Sequence, residues 1–230
     1  PVVANLRLET LEPIATQDWL EDGDHVKKSE NLAAIGQFEP KNLPEQLSFL
    51  YRLARHWKAQ REAVRGKPEN FSRPDFNFKL RKNGATVQGG VQGDEEAVIS
   101  IRKRGEPIDL IVAECAIVAN STWGQWLGSM GVPMIYRSQA ALLPGVKVRM
   151  GTKPLPHAGM GVRAYAWSSS PLRRYVDLLN QWQIIAAVKN GATAALLAPF
   201  KPKDAQLFAI ISAFDEAYSA YNTYQAQMER

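Results

Sequence analysis

The apolar residues of this chain change period along its length, and the change limits the folds open to it. Leu47, Leu50, Leu53, Ala54 and Trp57 recur at three- and four-residue intervals, the spacing of one helix face. Phe76, Phe78 and Leu80 instead alternate with Asn77, Lys79 and Arg81, as on a half-buried strand. The first pattern predicts a helix over roughly 43–64, opened by a capping box of Asn42 and Glu45. Its other face holds Arg52, Arg55, Lys58, Arg61 and Arg65, a basic face expected to be solvated and able to touch a phosphate backbone. The second pattern predicts a hairpin turning at Asn83-Gly84 and returning through Thr86-Val87, with another strand over Ala97–Ile101.

Helical spacing then resumes. Asp109 is expected to cap a helix carrying Leu110, Ile111, Ile117, Val118, Trp123 and Trp126, apolar nearly all round and therefore central and buried, with Gly131 and Pro133 closing it. Met134–Arg137 reads as a short strand, and the glycine- and proline-rich segment 140–161 as an ordered loop. A further helix should run from Pro171 to about Lys189 and end at Gly191, with Leu172, Val176, Leu179 and Ile184 facing the core. From Asp204 a last helix keeps its stripe from Phe208 through Ile211, Phe214, Tyr218, Tyr221 and Tyr224 to Met228. It meets no stop signal before Arg230, so the natural chain is expected to continue. The expected fold class is α+β: a central, mainly antiparallel sheet packed against long helices, after an irregular entry segment over 1–42.

The run Ser168-Ser169-Ser170-Pro171-Leu172-Arg173-Arg174-Tyr175-Val176-Asp177 carries the chemistry. Ser170 has the form of an N-cap and Pro171 of a first helical residue, which would put Arg173 and Arg174 in the first turn, where the helix dipole disfavours cations. A bound phosphate would resolve that conflict, since free N–H groups, serine hydroxyls and guanidiniums converge there. The plain alternative is a surface ion pair of Arg173 with Asp177, leaving Arg174 solvated.

Composition excludes more than it selects. Twenty-eight Lys and Arg against 23 Asp and Glu give a net charge of +5, compatible with a nucleic-acid partner and weak as an argument for one. The single cysteine, Cys115, sits in an apolar run, so no internal disulfide forms and a structural thiol in the cytoplasm is expected. No apolar run has the length of a membrane span, and residues 1–20 lack a signal-peptide pattern. His25, His56 and His157 are scattered without zinc spacing, and His157 is expected in a loop or structural role. The serines at 168–170 lack a nucleophile elbow, and Gly89-Gly90-Val91-Gln92-Gly93 lacks the lysine of a phosphate loop.

The string from Tyr165 to Leu178 resembles the Thr-Ser-Pro-Ile-Arg-Arg-Tyr-x-Asp-Leu signature of the RNB catalytic domain, found in ribonuclease II and ribonuclease R. Leu110–Asn120 is similar to the family's Leu-Val-Glu-Glu-x-Met-x-x-Ala-Asn helix, Gly131–Arg137 to its Gly-x-Pro-x-Leu-Tyr-Arg strand, and Arg73–Phe78 to the strand entry before them. Met228-Glu229-Arg230 resembles the start of its final helical motif. The resemblance implies that the chain is the C-terminal part of one RNB-like domain, extended at both ends in nature. It also implies a 3′-to-5′ exoribonuclease that hydrolyses single-stranded RNA to nucleoside 5′-monophosphates with Mg²⁺, cytoplasmic and monomeric when complete. By motif position Arg173 is the arginine that stabilises charge on the phosphorane, and Glu229 belongs to the active-site set. Ser170, Tyr136 and Arg174 become substrate contacts, Arg174 being a backbone-phosphate contact or a structural residue. Phe71 is the nearest base-stacking platform, shifted by one position.

Two departures accompany the likeness. The family's Asp-x-Asp-Asp metal element has no counterpart here, since Asp22 and Asp24 lie in a turn with other spacing; it is expected in an N-terminal half of the domain, as a partner segment before Pro1. Ala113 stands where the family has the first of two glutamates linked to ribose recognition, which leaves Glu114 for that role and the choice of RNA over DNA open. The alternative function is a non-catalytic RNA-binding or scaffolding module derived from an RNB domain.

Overall fold

The computed structural model describes residues 7–24, 43–69, 75–87, 93–102 and 105–228. The chain divides into two compact units, one of Pro1–Arg55 with Glu69–Val112 and one of His56–Pro68 with Ala113–Arg230. The entry segment holds two short helices, α1 (Leu8–Leu11) and α2 (Gln17–Glu21), the second capped by the Thr16 hydroxyl, which accepts from the Trp19 N–H at 3.3 Å.

In the first unit the predicted helix is present as α3 (Leu43–Arg65). Leu43, Leu47, Tyr51 and Ala54 are buried and cluster with Leu11, Ala15, Leu20, Ile108 and Ile111. The capping residue Asn42 lies outside the described residues. The hairpin also forms where alternation predicted it. Strand β1 (Asp75–Lys82) pairs antiparallel with β2 (Ala85–Thr86) and β3 (Glu96–Arg102), in the order β2-β1-β3. Asn83 and Gly84 both take positive φ, 52° and 79°, the two-residue turn whose twist matches antiparallel strands. Register sets Phe76 opposite Ile101 and Phe78 opposite Ile99.

Helix α4 (Pro107–Ser129) corrects the expectation of burial all round. Only the stripe Ile108, Ile111, Glu114, Ile117, Asn120, Ser121, Gly124 and Leu127 is buried, while Val112, Cys115 and Trp126 are exposed. Its apolar residues exceed what one packed face can cover, and three positions of the covered face are polar. The Cys115 thiol is thus not a core group; its pKa is raised by partial burial and then by Glu114, which keeps it protonated.

The second unit contains β4 (Tyr136–Ser138) paired antiparallel with β5 (Arg149–Gly151), then α5 (Tyr175–Asn190), a short 3₁₀ turn, α6 (Ala194–Leu197) and α7 (Ala205–Met228). The mixed helix-and-strand class holds, with the strands in two small antiparallel sheets. Strand β4 starts two residues later than predicted, and Met134 and Ile135 enter it as buried core. Gly191 ends α5 at φ 51°, its N–H returning to the Ala187 carbonyl, and Asp204 caps α7 by accepting from the Gln206 N–H at 2.8 Å. Val176 and Leu179 pack with Ile117, Ile135, Tyr165, Trp167, Phe200, Leu207 and Ile211. Ile184, Ala186 and Ala187 pack with Leu127, Val132, Met134, Tyr136 and Ala166.

Two buried amides on α5 bind the chain segments around them. Asn180 accepts from the Ile135 N–H at 2.7 Å and donates to the carbonyls of Ile135 and Trp167 at 2.9 and 2.7 Å. Gln183 donates to the carbonyls of Pro133 and Phe200 and accepts from the Phe200 N–H. Each supplies partners to loop backbone that has no ladder to satisfy it. Among the described residues no helix is long and apolar enough to cross a membrane.

Candidate functional site

The signature run does not begin its helix where the capping rules put it. Residues 171–173 form a turn, α5 starts at Tyr175, and the N-cap is Arg174, extended at φ −131° and ψ 115° with no side-chain cap bond. Pro171 follows Ser170, whose carbonyl accepts from the Arg173 N–H at 3.3 Å, so it occupies the second position of a β-turn, a site its fixed φ suits equally well. Asp177 then serves from inside the helix. Fully buried in the first turn, its Oδ1 accepts from the Ser170 N–H at 2.9 Å.

The two arginines part company. Arg174 lays its fork on Asp177, Nε to Oδ2 at 2.8 Å and Nη2 to Oδ1 at 2.6 Å, with side chains 15% and 0% exposed. The ion pair expected between Arg173 and Asp177 is therefore made by Arg174, which is half-buried and held in place rather than solvated. Arg173 is exposed and makes no ion pair or side-chain hydrogen bond among the described residues. Leu172, expected in the core, is fully exposed beside it because the turn swings it off the helix face.

The backbone before this turn is held by side chains from α4 and α5. Asn120 accepts from the Ser168 N–H at 2.9 Å and donates to the Ser169 hydroxyl at 3.1 Å, and Gln181 donates to the Ser168 carbonyl. With Asn180 on the Trp167 carbonyl, residues 167–170 are tied at four points by polar side chains. Ser170 itself is half-buried.

Trp167 is the platform of the site. The guanidinium carbons of Arg137 and Arg174 lie 4.0 and 4.1 Å from its ring centre, and Tyr218 meets it edge-on at 5.5 Å. Phe214 stacks on Tyr218 at 5.8 Å. Burial lowers the Arg137 pKa and the Arg174 charge lowers it further, opposed by Tyr218, Tyr165 and the Asp215 carboxylate. Nearby, His157 is buried with Nδ1 accepting from the Met160 N–H, its ring edge-on to Tyr165. Burial, and then the Arg137 charge, pushes its pKa down to about 4, so it is neutral at pH 7. Sequence reasoning missed Trp167 and Arg137, although an aromatic just before an arginine pair was a visible signal.

Other expected site residues have different surroundings. Tyr136 is buried, its hydroxyl donating to the Gly124 carbonyl at 2.9 Å and its ring lying 3.3 Å from where a side chain at Gly124 would begin, a close approach that glycine eases. Burial pushes that phenol far above its ordinary pKa. Its side chain is core and cannot meet a ligand. Glu114 is equally enclosed and pairs with Arg61 through Nε at 2.9 Å and through Nη2. Arg61 also donates to the Met160 carbonyl at 2.8 Å, so it is no part of a solvated basic face, and Glu114 is closed to ribose. Phe71 and Glu229 lie outside the described residues, as does His25. Among the described residues no group of three or more His, Cys, Asp or Glu side chains could hold a metal ion, so these residues do not fit one by themselves.

Comparison with known proteins falls on the same segment. The RNB domain family matches residues 146–190. A ribonuclease of Synechocystis sp., itself uncharacterized, is 28% identical over 122 residues, 44% of this chain and 18% of that one. Exoribonuclease 2 of Escherichia fergusonii is 46% identical over 46 residues, 20% of this chain and 7% of that one. The chain thus spans less than a fifth of the length of either relative. In fold, it superposes on an active-site mutant of the Dss1 exoribonuclease from Candida glabrata with a TM-score of 0.58 at 17% identity, over 86% of this chain and 27% of that one. On Mycoplasma genitalium RNase R in complex with ribose-methylated single-stranded RNA, the TM-score is 0.51 at 14% identity, over 73% of this chain and 32% of that one. The pinned turn, its free arginine and helix α5 all fall within the matched residues, so it is this segment that is similar to the RNB domain of exoribonucleases.

Proposed function

We propose that this chain supplies the arginine-bearing, RNA-contacting side of a site that hydrolyses single-stranded RNA from its 3′ end to nucleoside 5′-monophosphates. The observation that carries this reading is the contrast at residues 173 and 174: one guanidinium locked on a buried carboxylate, the next exposed and unpaired on the turn so fixed. The turn fixes the backbone from which Arg173 projects, so its cation is presented at a defined place beside which charge can develop. Arg173 would neutralise charge on the phosphorane as water attacks the scissile phosphodiester. The names of the similar proteins, exoribonuclease 2 and an RNase R with bound single-stranded RNA, support the class of reaction and of substrate.

Mg²⁺ is the metal the family likeness implies. Its ligands would have to come from residues outside those described, such as the N-terminal half of an RNB domain. Ser170, on the same turn, is proposed to contact the substrate, Phe71 to stack on a base and Glu229 to join the active-site set, in a cytoplasmic protein that is monomeric when complete. In the native polypeptide that carries this chain, Arg173→Ala should lower turnover of single-stranded RNA by about 10²–10³-fold. Affinity for the same RNA should change by less than about threefold, as expected for a contact made only in the transition state. Unchanged turnover would remove Arg173 from catalysis; equal loss of binding would make it a holding residue instead.

A further inference from the structure

Of the arginines taken at least partly out of water in the second unit, two are met by carboxylates, while Arg65 and Arg137 each keep a buried Nε with no acceptor; Arg65 still donates through Nη1 to the Lys67 carbonyl at 3.2 Å. Arg61 forks onto Glu114 and Arg174 onto Asp177. Arg137, on β4, has neither an ion pair nor a side-chain hydrogen bond among the described residues, and its Nε is buried with no acceptor. Its guanidinium lies over Trp167 and, at 6.0 Å, near Tyr218. Ring faces favour the cation but accept none of its donors in the plane of the fork. The same indole carries Arg174, so two cations share one platform; Arg174 is in direct contact with Asp177, whereas Arg137 feels the Asp215 carboxylate without forming an ion pair with it.

The platform is rigid. Asn180 holds the Trp167 carbonyl, Tyr218 abuts the indole edge, and Phe214 backs Tyr218. Arg137 is half-buried rather than enclosed, so the outer part of its fork is open to a ligand. A planar fork with free donors, fixed on an aromatic face, suits a phosphate oxyanion. Arg174 adjoins Arg173 in the chain, which sets Arg137, a cation with no directly bonded carboxylate, one aromatic ring away from the turn assigned to the scissile phosphate.

We propose that Arg137 binds a backbone phosphodiester of the RNA strand, as a second phosphate contact separate from that of Arg173. This rests on the RNA reading above, and the test keeps the two apart. Binding of a labelled 20-nucleotide oligouridylate to the 230-residue chain is followed by anisotropy across a KCl series. Arg137→Gln should weaken binding about five- to tenfold and flatten the plot of log K against log salt by about 0.7, the value for one contact to a single strand. Lys189→Gln, in the last turn of α5, removes an equal charge far from the platform and should change neither. Wild-type affinity and slope in Arg137→Gln would overturn the assignment while leaving the RNA reading intact. An equal loss in Lys189→Gln would do the same, by showing a diffuse charge effect. A wild-type chain that does not bind the oligomer would overturn both.

Should Arg137→Gln fail to fold, the wild type gives the answer by NMR. The Nε–H resonance assigned by its absence in Arg137→Lys should move when the oligomer is added. A resonance that stays still overturns the proposal. One that moves with inorganic phosphate but not with the oligomer makes this a site for a free anion and overturns the assignment to RNA.

Discussion

The sheet of β1, β2 and β3 and the turn at 167–177 are built on opposite principles. The sheet is held by backbone pairing in a register that matches Phe76 to Ile101 and Phe78 to Ile99, yet Phe78, Ile99 and Ile101 are 71%, 61% and 71% exposed. The turn has no ladder, and its backbone is held by the side chains of Asn120, Asp177, Asn180 and Gln181, of which Asp177, Asn120 and Asn180 are almost completely buried. Backbone pairing is generic and tolerates many side chains; a turn held by particular amides and carboxylates tolerates few. Buried polar groups are costly unless each is satisfied, so their concentration around one turn marks where a defined geometry is needed.

The largest test of that contrast is Asp177→Ala, which leaves Arg174 half-buried without its carboxylate and the Ser170 N–H without an acceptor. A loss of about 3–5 kcal/mol in unfolding free energy by urea titration is expected; a loss below about 1 kcal/mol, the range of an exposed pair, would mean that the turn does not depend on it. Next comes pH. The folded-state pKa of His157, near 4, lies below its ordinary 6.5, so the unfolded chain binds the proton more tightly. Stability is complete above about pH 6.5, falls by up to about 1.4 kcal/mol per unit as pH drops toward 4, and levels off below. Urea titrations of wild type and His157→Gln at pH 7 and pH 5 should show the variant with the shallower dependence. Equal slopes would remove His157 as the titrating group. The smallest effect belongs to the sheet: Phe78→Ser on its exposed face should shift unfolding free energy by no more than about 0.5 kcal/mol. A loss of 2 kcal/mol would show that this face is covered and would erase the contrast.

How far the sequence could be read follows the same division. Periodicity located α3, the β1–β2 hairpin and α7, because each depends on local spacing and on a turn or cap a few residues long. Asn83-Gly84 and Asp204 acted as their residue types require. The turn was misread for the opposite reason. Ser170-Pro171 satisfies the rules for a helix start and for a β-turn equally, and the choice was settled by Asp177, seven residues on, reaching back to the Ser170 N–H. Asn120, 48 residues before Ser168, and Asn180, 45 residues after Ile135, fix segments that no local window connects to them. Arg61 and Glu114 each looked exposed or available on their own helix, and only their meeting across 53 residues put both inside. The site was legible as a string of residue types, whereas the division of labour within it depended on long-range partners.

Arg173 and Arg174 are the same letter twice, yet their tolerance to replacement should differ. At position 174 a lysine would keep the charge but lose the two-point grip on Asp177 and the flat face laid over Trp167, since an ammonium has neither. Position 173 makes no contact that demands a particular shape before a ligand arrives. A substitution table that scores the two positions alike would rank as equivalent one residue that holds the scaffold together and one that faces outward from it.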